Sequence, residues 1–300
     1  MIWLLIVVIA HLFYSLVFVI DKYIVSKSLP HPIVYTFYVG ILSIAVWALI
    51  PFGFCFPSAY YVFLSMLAGI AQVGGSIFLY RSLNLGEVSR IIPFIGSFVA
   101  IFILVLSTLL IGERLSLQQY IAFILLVLGS LVVSYLPCRQ AGRRKEFFQK
   151  PFGLAIIAAL FFAIFWVITK YIYSGSSFVS GTVWVRTAVA FVSLFLLLPR
   201  KNRELIFKKT DEIKRKTVGF VIWGRSLTIV AALCMYFAVF LGSVTLANAL
   251  QGLQYAFIFL LALLFFRKIP SLKEELSREI IAQKIIAIIL ITLGLFILII

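Results

Sequence analysis

Two arginines lie deep inside long apolar stretches of the sequence. Arg186 is about nine residues into the stretch 177–199, and Arg225 is about nine residues beyond Lys216. A charge in hydrocarbon is costly unless it faces water or a partner. We expect the Arg186 guanidinium to bind a carboxylate or phosphate of a substrate, or else to brace the fold through an internal partner. For Arg225, a cavity role competes with snorkelling or an internal salt bridge.

Three further basic residues are candidates for gating or for coupling to an ion. Lys22 and Lys170 end two related apolar stretches, and each is either a latch at a cavity mouth or an interfacial anchor. Asp21 and Glu87 are the possible acidic partners, and Glu87 is itself a gating candidate. His11 lies in the middle of the first stretch and titrates near neutral pH when unperturbed. A neutral packing histidine is the alternative.

Amide and aromatic side chains complete the candidate binding site. Asn248, Gln251 and Gln254 follow one another at intervals of three, so they share a helix face. Such an amide row is costly in lipid unless it lines a cavity or joins helices. The aromatic candidates are Tyr14, Trp166, Tyr38 and Tyr80, of which Tyr38 stands where the first half of the chain corresponds to Arg186.

The sequence offers little for metal, nucleotide or catalytic chemistry. The two histidines, His11 and His31, are far apart in the expected topology, and the three cysteines are scattered without metal or disulfide spacing. No GxxxxGK[ST] phosphate-binding loop occurs, so energy would come from a gradient or from exchange. We therefore expect no cofactor, no metal and no enzyme activity. Because no carboxylate lies deep in an apolar stretch, multidrug antiport through a central glutamate is not favoured.

These residues must be positioned by membrane helices. The mean hydropathy is +1.17 and 64% of residues are hydrophobic, well above the ~45–50% of soluble domains. Since backbone groups in lipid must bond within their own segment, helices are expected. The prediction is an all-α polytopic protein of the cell (inner) membrane with ten transmembrane helices, near 2–24, 31–52, 58–81, 90–112, 117–136, 151–173, 177–199, 217–241, 245–267 and 281–300.

One segment of the sequence occurs twice. Residues 10–26 read AHLFYSLVFVIDKYIVS and residues 158–174 read AALFFAIFWVITKYIYS. The predicted domains are therefore a first five-helix repeat over 1–137, a basic linker over 138–150 and a second repeat over 151–300. Because five is odd, two repeats that fold alike must be inverted relative to each other.

The charges predict an orientation. The odd-numbered loops carry 22 of the 26 lysines and arginines, which by the positive-inside rule places these loops in the cytoplasm and both termini outside. The net charge of +16 then suits anionic lipid headgroups. No basic folded surface for nucleic acid is evident. Two complete halves make a monomer sufficient, although a dimer is possible.

Several motifs resemble the EamA family of the drug/metabolite transporter superfamily. They are a first stretch that ends in lysine, Arg186 in the seventh stretch, Pro93 in the fourth, Gly112-Glu113-Arg114 after it, and Gly129 near the end of the fifth. The segment ANALQGLQYAFIFLLALLFF is similar as well. The second half departs from the pattern, since FFRKIPSLKEE replaces LIGERLS and Pro93 has no counterpart near Ala249.

The resemblance implies a ten-helix exporter or exchanger of small metabolites with a central cavity between the halves. Relatives generally have both termini in the cytoplasm, whereas the charges here point the other way. Two buried arginines and few buried acids favour an anionic or zwitterionic substrate such as an amino acid. The alternatives are a translocase of a lipid-linked carrier and, less favoured, a membrane enzyme.

Overall fold

The computed structural model describes residues 2–25, 31–85, 88–134, 145–207, 215–265 and 278–300. Side chains are described for 2–17, 31–85, 90–134, 150–207, 226–261 and 281–300. The described residues are almost entirely helical and contain no strand. The helices are α1 Ile2–Val25, α2 Pro32–Ile41, α3 Ala59–Leu85, α4 Val88–Leu110, α5 Leu117–Ser134, α6 Lys145–Ser174, α7 Phe178–Leu194, α8 Arg200–Phe207, α9 Arg215–Leu241, α10 Val244–Ala249, α11 Gly252–Phe265 and α12 Arg278–Ile299. A 3₁₀ helix, Leu42–Phe52, continues α2, and a shorter one, Phe195–Leu197, continues α7.

Within the described residues, eight helical segments are long and apolar enough to cross a membrane. They are Pro32–Phe52, Ala59–Leu85, Arg90–Leu110, Leu117–Ser134, Lys150–Ser174, Phe178–Leu197, Val244–Leu261 and Ile281–Ile299. Two more apolar segments, Ile2–Val17 and Ser226–Leu241, are shorter over the residues whose side chains the structure describes. The described part of the chain is thus all-helical and of membrane-embedded type, and the arrangement of ten helices in two repeats stays a prediction.

Three pairs of helices make the most extensive contacts. α3 packs along α6, α1 packs along α9, and α5 packs along α12. The centre is completed by α4, which contacts α6 and α10, and by α7, which contacts α3 and the 3₁₀ helix Leu42–Phe52. Glycine allows one of these close approaches: a Cβ on Gly69 of α3 would lie 2.8 Å from the carbonyl oxygen of Ala188 on α7. Such small-residue crossings are typical of membrane helix packing.

The ninth apolar stretch is interrupted, which the sequence did not predict. α10 ends at Ala249 and α11 begins at Gly252. Between them the Gln251 N–H donates to the Asn248 carbonyl at 3.1 Å, and the Leu253 N–H donates to the Leu250 carbonyl at 2.9 Å. These bonds have the three-residue spacing of a 3₁₀ turn. The apolar stretch 245–267 therefore contains two helices joined by a 3₁₀ turn, in which side chains three residues apart still lie on one side.

Candidate functional site

A cavity of about 190 Å³ lies among α3, α4, α6 and α10, so it is bounded by both halves of the chain. Its walls are apolar or aromatic, and its polar groups are two neutral amides. The lining residues are Leu79, Ile92, Ile95, Val99, Phe162, Trp166, Asn248 and Gln251. Three of the predicted binding residues, Trp166, Asn248 and Gln251, are thus brought together. Apolar walls with a few convergent polar groups are the usual composition of a small-molecule site.

The two amides are held differently at the interruption between α10 and α11. The Asn248 amide donates to the Val244 carbonyl at 2.9 Å, a bond within its own helix. Gln251 lies directly against Gly96 of α4, where a Cβ would come within 2.8 Å of the Gln251 Oε1. The Tyr255 hydroxyl beside it donates to the Ile92 carbonyl at 3.0 Å. Gly96 therefore makes room for the Gln251 amide at the cavity wall.

Arg186 lies behind this cavity, near the middle of the candidate span Phe178–Leu197. Its side chain is half-buried, and its Nη1 donates to the Tyr236 hydroxyl at 3.3 Å, with Cζ 5.8 Å from the centroid of that ring. The Tyr236 ring is in turn 5.3 Å from the ring of Trp166, which lines the cavity. Tyr14 lies close enough to Arg186 and Tyr236 to interact with them electrostatically. Among the described residues, Arg186 has no carboxylate partner.

His11 is only 3% exposed, and neither of its ring nitrogens has a hydrogen bond of normal geometry within the described structure. The ring lies beside the backbone of Ala247 and the side chain of Gln254, and its centroid is 6.3 Å from that of Tyr14. Gln254 therefore belongs to the surroundings of His11, whereas Asn248 and Gln251 line the cavity. The role of His11 in coupling stays a prediction.

Two other aromatic candidates lie outside the cavity lining. Tyr38 is 49% exposed, and its hydroxyl donates to the Ile206 carbonyl of α8 at 3.1 Å. Tyr80 is half-buried and packs edge-on against Tyr35, with ring centroids 4.6 Å apart. The side chains of three further candidates, Arg225, Lys22 and Glu87, lie outside the described residues.

Lys170 has partners that the sequence did not predict. Its Nζ donates to the carbonyls of Gly242 at 2.7 Å, Val239 at 2.8 Å and Phe240 at 3.3 Å, at the end of α9. A cation at a helix C-terminus satisfies carbonyls that lack partners in the helix and opposes the helix dipole. Asp21 and Glu87, the acidic partners considered from the sequence, lie outside the described side chains.

A second set of polar contacts lies beside Lys170. The Thr245 hydroxyl donates to the Glu113 carboxylate at 2.6 Å and is 2.9 Å from the Ser107 hydroxyl. Lys170, Glu113, Ser107, Thr245 and the α9 terminus are called the α9–α10 turn cluster below. Its one signal in the sequence was the run Gly-Ser-Val-Thr at 242–245, in which Ser243 caps α10 by accepting from the Leu246 N–H at 3.0 Å.

Comparison with known proteins identifies the fold and leaves the activity open. No family model matches the chain, and no curated protein matches it. Twenty-eight chains of solved structures match. One, described only as "Crystal structure of protein", is 18% identical, with a TM-score of 0.69 over 98% of this chain and 95% of that one. At this identity the likeness shows that the chain adopts the fold of a solved protein over nearly its whole length.

Proposed function

We propose that the protein is a secondary transporter of a small metabolite with an apolar body and an anionic or zwitterionic head, moved by alternating access. The observation that carries this proposal is Arg186: a guanidinium near the middle of a candidate span, behind an aromatic-lined cavity, with no carboxylate partner among the described residues. A cation kept without a counter-charge in such a place is best explained by a ligand that supplies the counter-charge.

The pattern of helix pairings supports a transporter built from two repeats of five helices. In this arrangement α1 of the first repeat corresponds to α6 of the second, and α3 corresponds to α9. The contact between α1 and α9 is then the counterpart of the contact between α6 and α3. The pairing of α5 with α12 then maps onto itself. α4 corresponds to the interrupted helix formed by α10 and α11, so the contact of α4 with α6 is the counterpart of the contact of α11 with α1. Inverted repeats with a site at their interface are a common architecture of secondary transporters.

One departure from this correspondence supports alternating access. α3 packs extensively against α7, whereas the described parts of α9 and α2, which would correspond to them, make no comparable contact. Two repeats of one fold in different conformations expose a central site to one side at a time. The difference in packing between the two repeats is therefore the difference expected of a transporter in one of its two conformations.

The cavity limits the size and nature of the substrate. A volume of about 190 Å³ is below the ~300–1,000 Å³ of drug-sized sites. Phe162 and Trp166 offer flat apolar surfaces, and Asn248 and Gln251 can donate and accept hydrogen bonds. In a water-poor interior, a carboxylate would be attracted to Arg186 far more strongly than in bulk water. An amino acid or another small organic acid fits this combination.

Comparative metabolomics tests the proposal. Cells that produce the wild type, Arg186→Gln, Arg200→Gln or an empty vector are compared for metabolites inside and outside. Arg200 is exposed at the start of α8 and serves as the matched control for loss of an arginine charge. We expect a small acid or zwitterion to shift across the membrane with wild type and Arg200→Gln, and the shift to be lost with Arg186→Gln.

The outcomes separate the alternatives. A shift that Arg186→Gln retains would keep transport and make Arg186 structural. No shift of any soluble metabolite, with the protein verified in the membrane, would overturn the proposal and direct attention to lipid-linked cargo.

A further inference from the structure

The α9–α10 turn cluster lies directly beyond one end of the cavity. On α6, Trp166 lines the cavity and Lys170 follows four residues later, about one helical turn or 6 Å further along the axis. On α10, Thr245 precedes the cavity residue Asn248 by three residues. On α4, Val99 lines the cavity and Ser107 lies about two turns beyond it. Anything that entered or left the cavity from this end would pass the cluster.

Hydrogen bonds at the cluster join the two halves of the chain. Ser107 and Glu113 belong to the first half, and both contact the hydroxyl of Thr245 in the second half, at 2.9 Å and 2.6 Å. The α9–α10 turn is also packed against α1, because a Cβ on Gly242 would lie 2.5 Å from the Trp3 ring. Four helices are therefore held together at this one turn.

Lys170 fixes the turn from the other side. Its three donors have three carbonyl acceptors at the end of α9, which is the full capacity of an ammonium group. Without Lys170, the carbonyls of Val239 and Gly242 at the end of α9 would lose this donor. The position of α9 relative to α6 thus depends on the Lys170 contacts.

Glu113 offers Lys170 an alternative partner. One carboxylate oxygen of Glu113, Oε2, accepts the Thr245 bond, whereas the other, Oε1, is buried and has no hydrogen-bond partner within the described structure. Lys170 is close enough to Glu113 for the two charges to attract. A buried acceptor without a partner is energetically costly. If α9 moved away, the Lys170 ammonium would lose its carbonyls and could pair with Glu113 Oε1.

We propose that Lys170, Glu113 and Thr245 form a gate that closes this end of the cavity, and that it opens when Lys170 exchanges the α9 carbonyls for Glu113. The described state is the closed one. Opening breaks the Thr245 bonds between the halves and moves the α9–α10 turn away from α6. The gate rests on the proposed transport function for its purpose, but its opening can be measured without any substrate.

The test measures access to the cavity from each side of the membrane. Cys55, Cys138 and Cys234 are replaced by serine, and Val99→Cys supplies a single thiol in the cavity. The probe is a membrane-impermeant trimethylammonium methanethiosulfonate, added to right-side-out or inside-out vesicles. The rate of modification from the side of Gly242 reports the open fraction of the gate.

The variants are expected to change this rate in opposite directions. Thr245→Val removes the hydroxyl with little change in shape, and the loss of ~1.4 kcal/mol from the closed state would raise the rate about tenfold. Lys170→Met is expected to raise it at least as much, and Lys170→Arg, which keeps the charge and donors, much less. Glu113→Gln removes the charge that the open state needs, so the rate should fall.

The direction in which Glu113→Gln changes the modification rate separates a gate from a merely structural contact. Loss of a structural contact would loosen this end of the cavity and raise the rate. A raised rate for Glu113→Gln would overturn the exchange, and unchanged rates for Thr245→Val would overturn the gate. If Lys170→Met fails to fold, the Thr245 and Glu113 variants still decide the result. If the modification rates change in the expected directions but the protein moves no metabolite, the gate proposal stands and the transport proposal fails.

Discussion

Replacing Arg186 with methionine distinguishes a guanidinium that awaits a ligand from one that braces the fold. An arginine at the centre of a membrane helix costs about 2.5–3.5 kcal/mol on insertion. Its hydrogen bond to the Tyr236 hydroxyl, 3.3 Å long, returns at most the ~1.5–3 kcal/mol of a bond to a charged group. The two contributions nearly cancel. We therefore expect the free energy of unfolding of Arg186→Met to lie within about 1.5 kcal/mol of wild type.

A bracing role for Arg186 predicts a much larger loss in the free energy of unfolding. Removing one partner of a buried ion pair destabilises a protein by about 3–5 kcal/mol, because the other charge is left uncompensated. The free energies are compared by equilibrium unfolding in mixed micelles, followed by the far-ultraviolet circular dichroism of the helices. Arg200→Met, at an exposed position, should change the free energy by less than ~0.5 kcal/mol. A loss of about 3 kcal/mol or more at Arg186 would refute the ligand-binding interpretation.

Three further predictions follow from the packing, the cavity and the charges. Gly69→Val would drive side-chain atoms into the Ala188 backbone. We expect the free energy of unfolding to fall by at least ~2 kcal/mol and the monodisperse fraction on size exclusion to decrease. Gly153→Ala is the neutral control, because a Cβ there meets nothing within 4 Å. Gln251→Leu removes one neutral hydrogen-bonding group from the cavity and should weaken substrate half-saturation about tenfold at unchanged membrane abundance, measured as uptake against concentration. Alkaline phosphatase fused after Ile300 should be active, because the charge distribution predicts that this terminus lies outside. An inactive phosphatase together with a fluorescent cytoplasmic reporter at the same position would contradict that orientation.

The sequence predicted those features that depend on local pattern. Hydropathy located the helices, since apolar length is the main requirement for crossing a bilayer. Trp166, Asn248 and Gln251 were singled out because amides and amphipathic aromatics in apolar stretches need a cavity or a partner, and these three residues line one cavity. Tyr38 was selected by its correspondence to Arg186, yet it lies against α8, since correspondence between repeats does not carry over contacts that only one repeat makes.

Features that depend on distant backbone atoms were not predictable. Nothing in the sequence marks Val239 or Gly242 as acceptors for Lys170, because every residue has a carbonyl and only the end of a helix makes it available. The interruption at Leu250 and Gln251 has no proline to signal it. Glu113 and Arg114 are neighbours in the sequence, but the Glu113 carboxylate accepts a hydrogen bond from Thr245, 132 residues away.

Two cations of the second half, Lys170 and Arg186, differ in how many of their donors have acceptors, and for this reason we propose Arg186 and not Lys170 as a substrate ligand. Lys170 has three donors and three carbonyl acceptors, so a ligand would have to displace bonds that hold α9 in place. Arg186 has five donors, and the described structure gives it one acceptor, a tyrosine hydroxyl. An anion reaching Arg186 would therefore gain charge-assisted bonds without breaking a structural contact. We therefore propose that Lys170, whose three donors all have acceptors, holds the gate closed, and that Arg186, which has one acceptor in the described structure, binds the substrate.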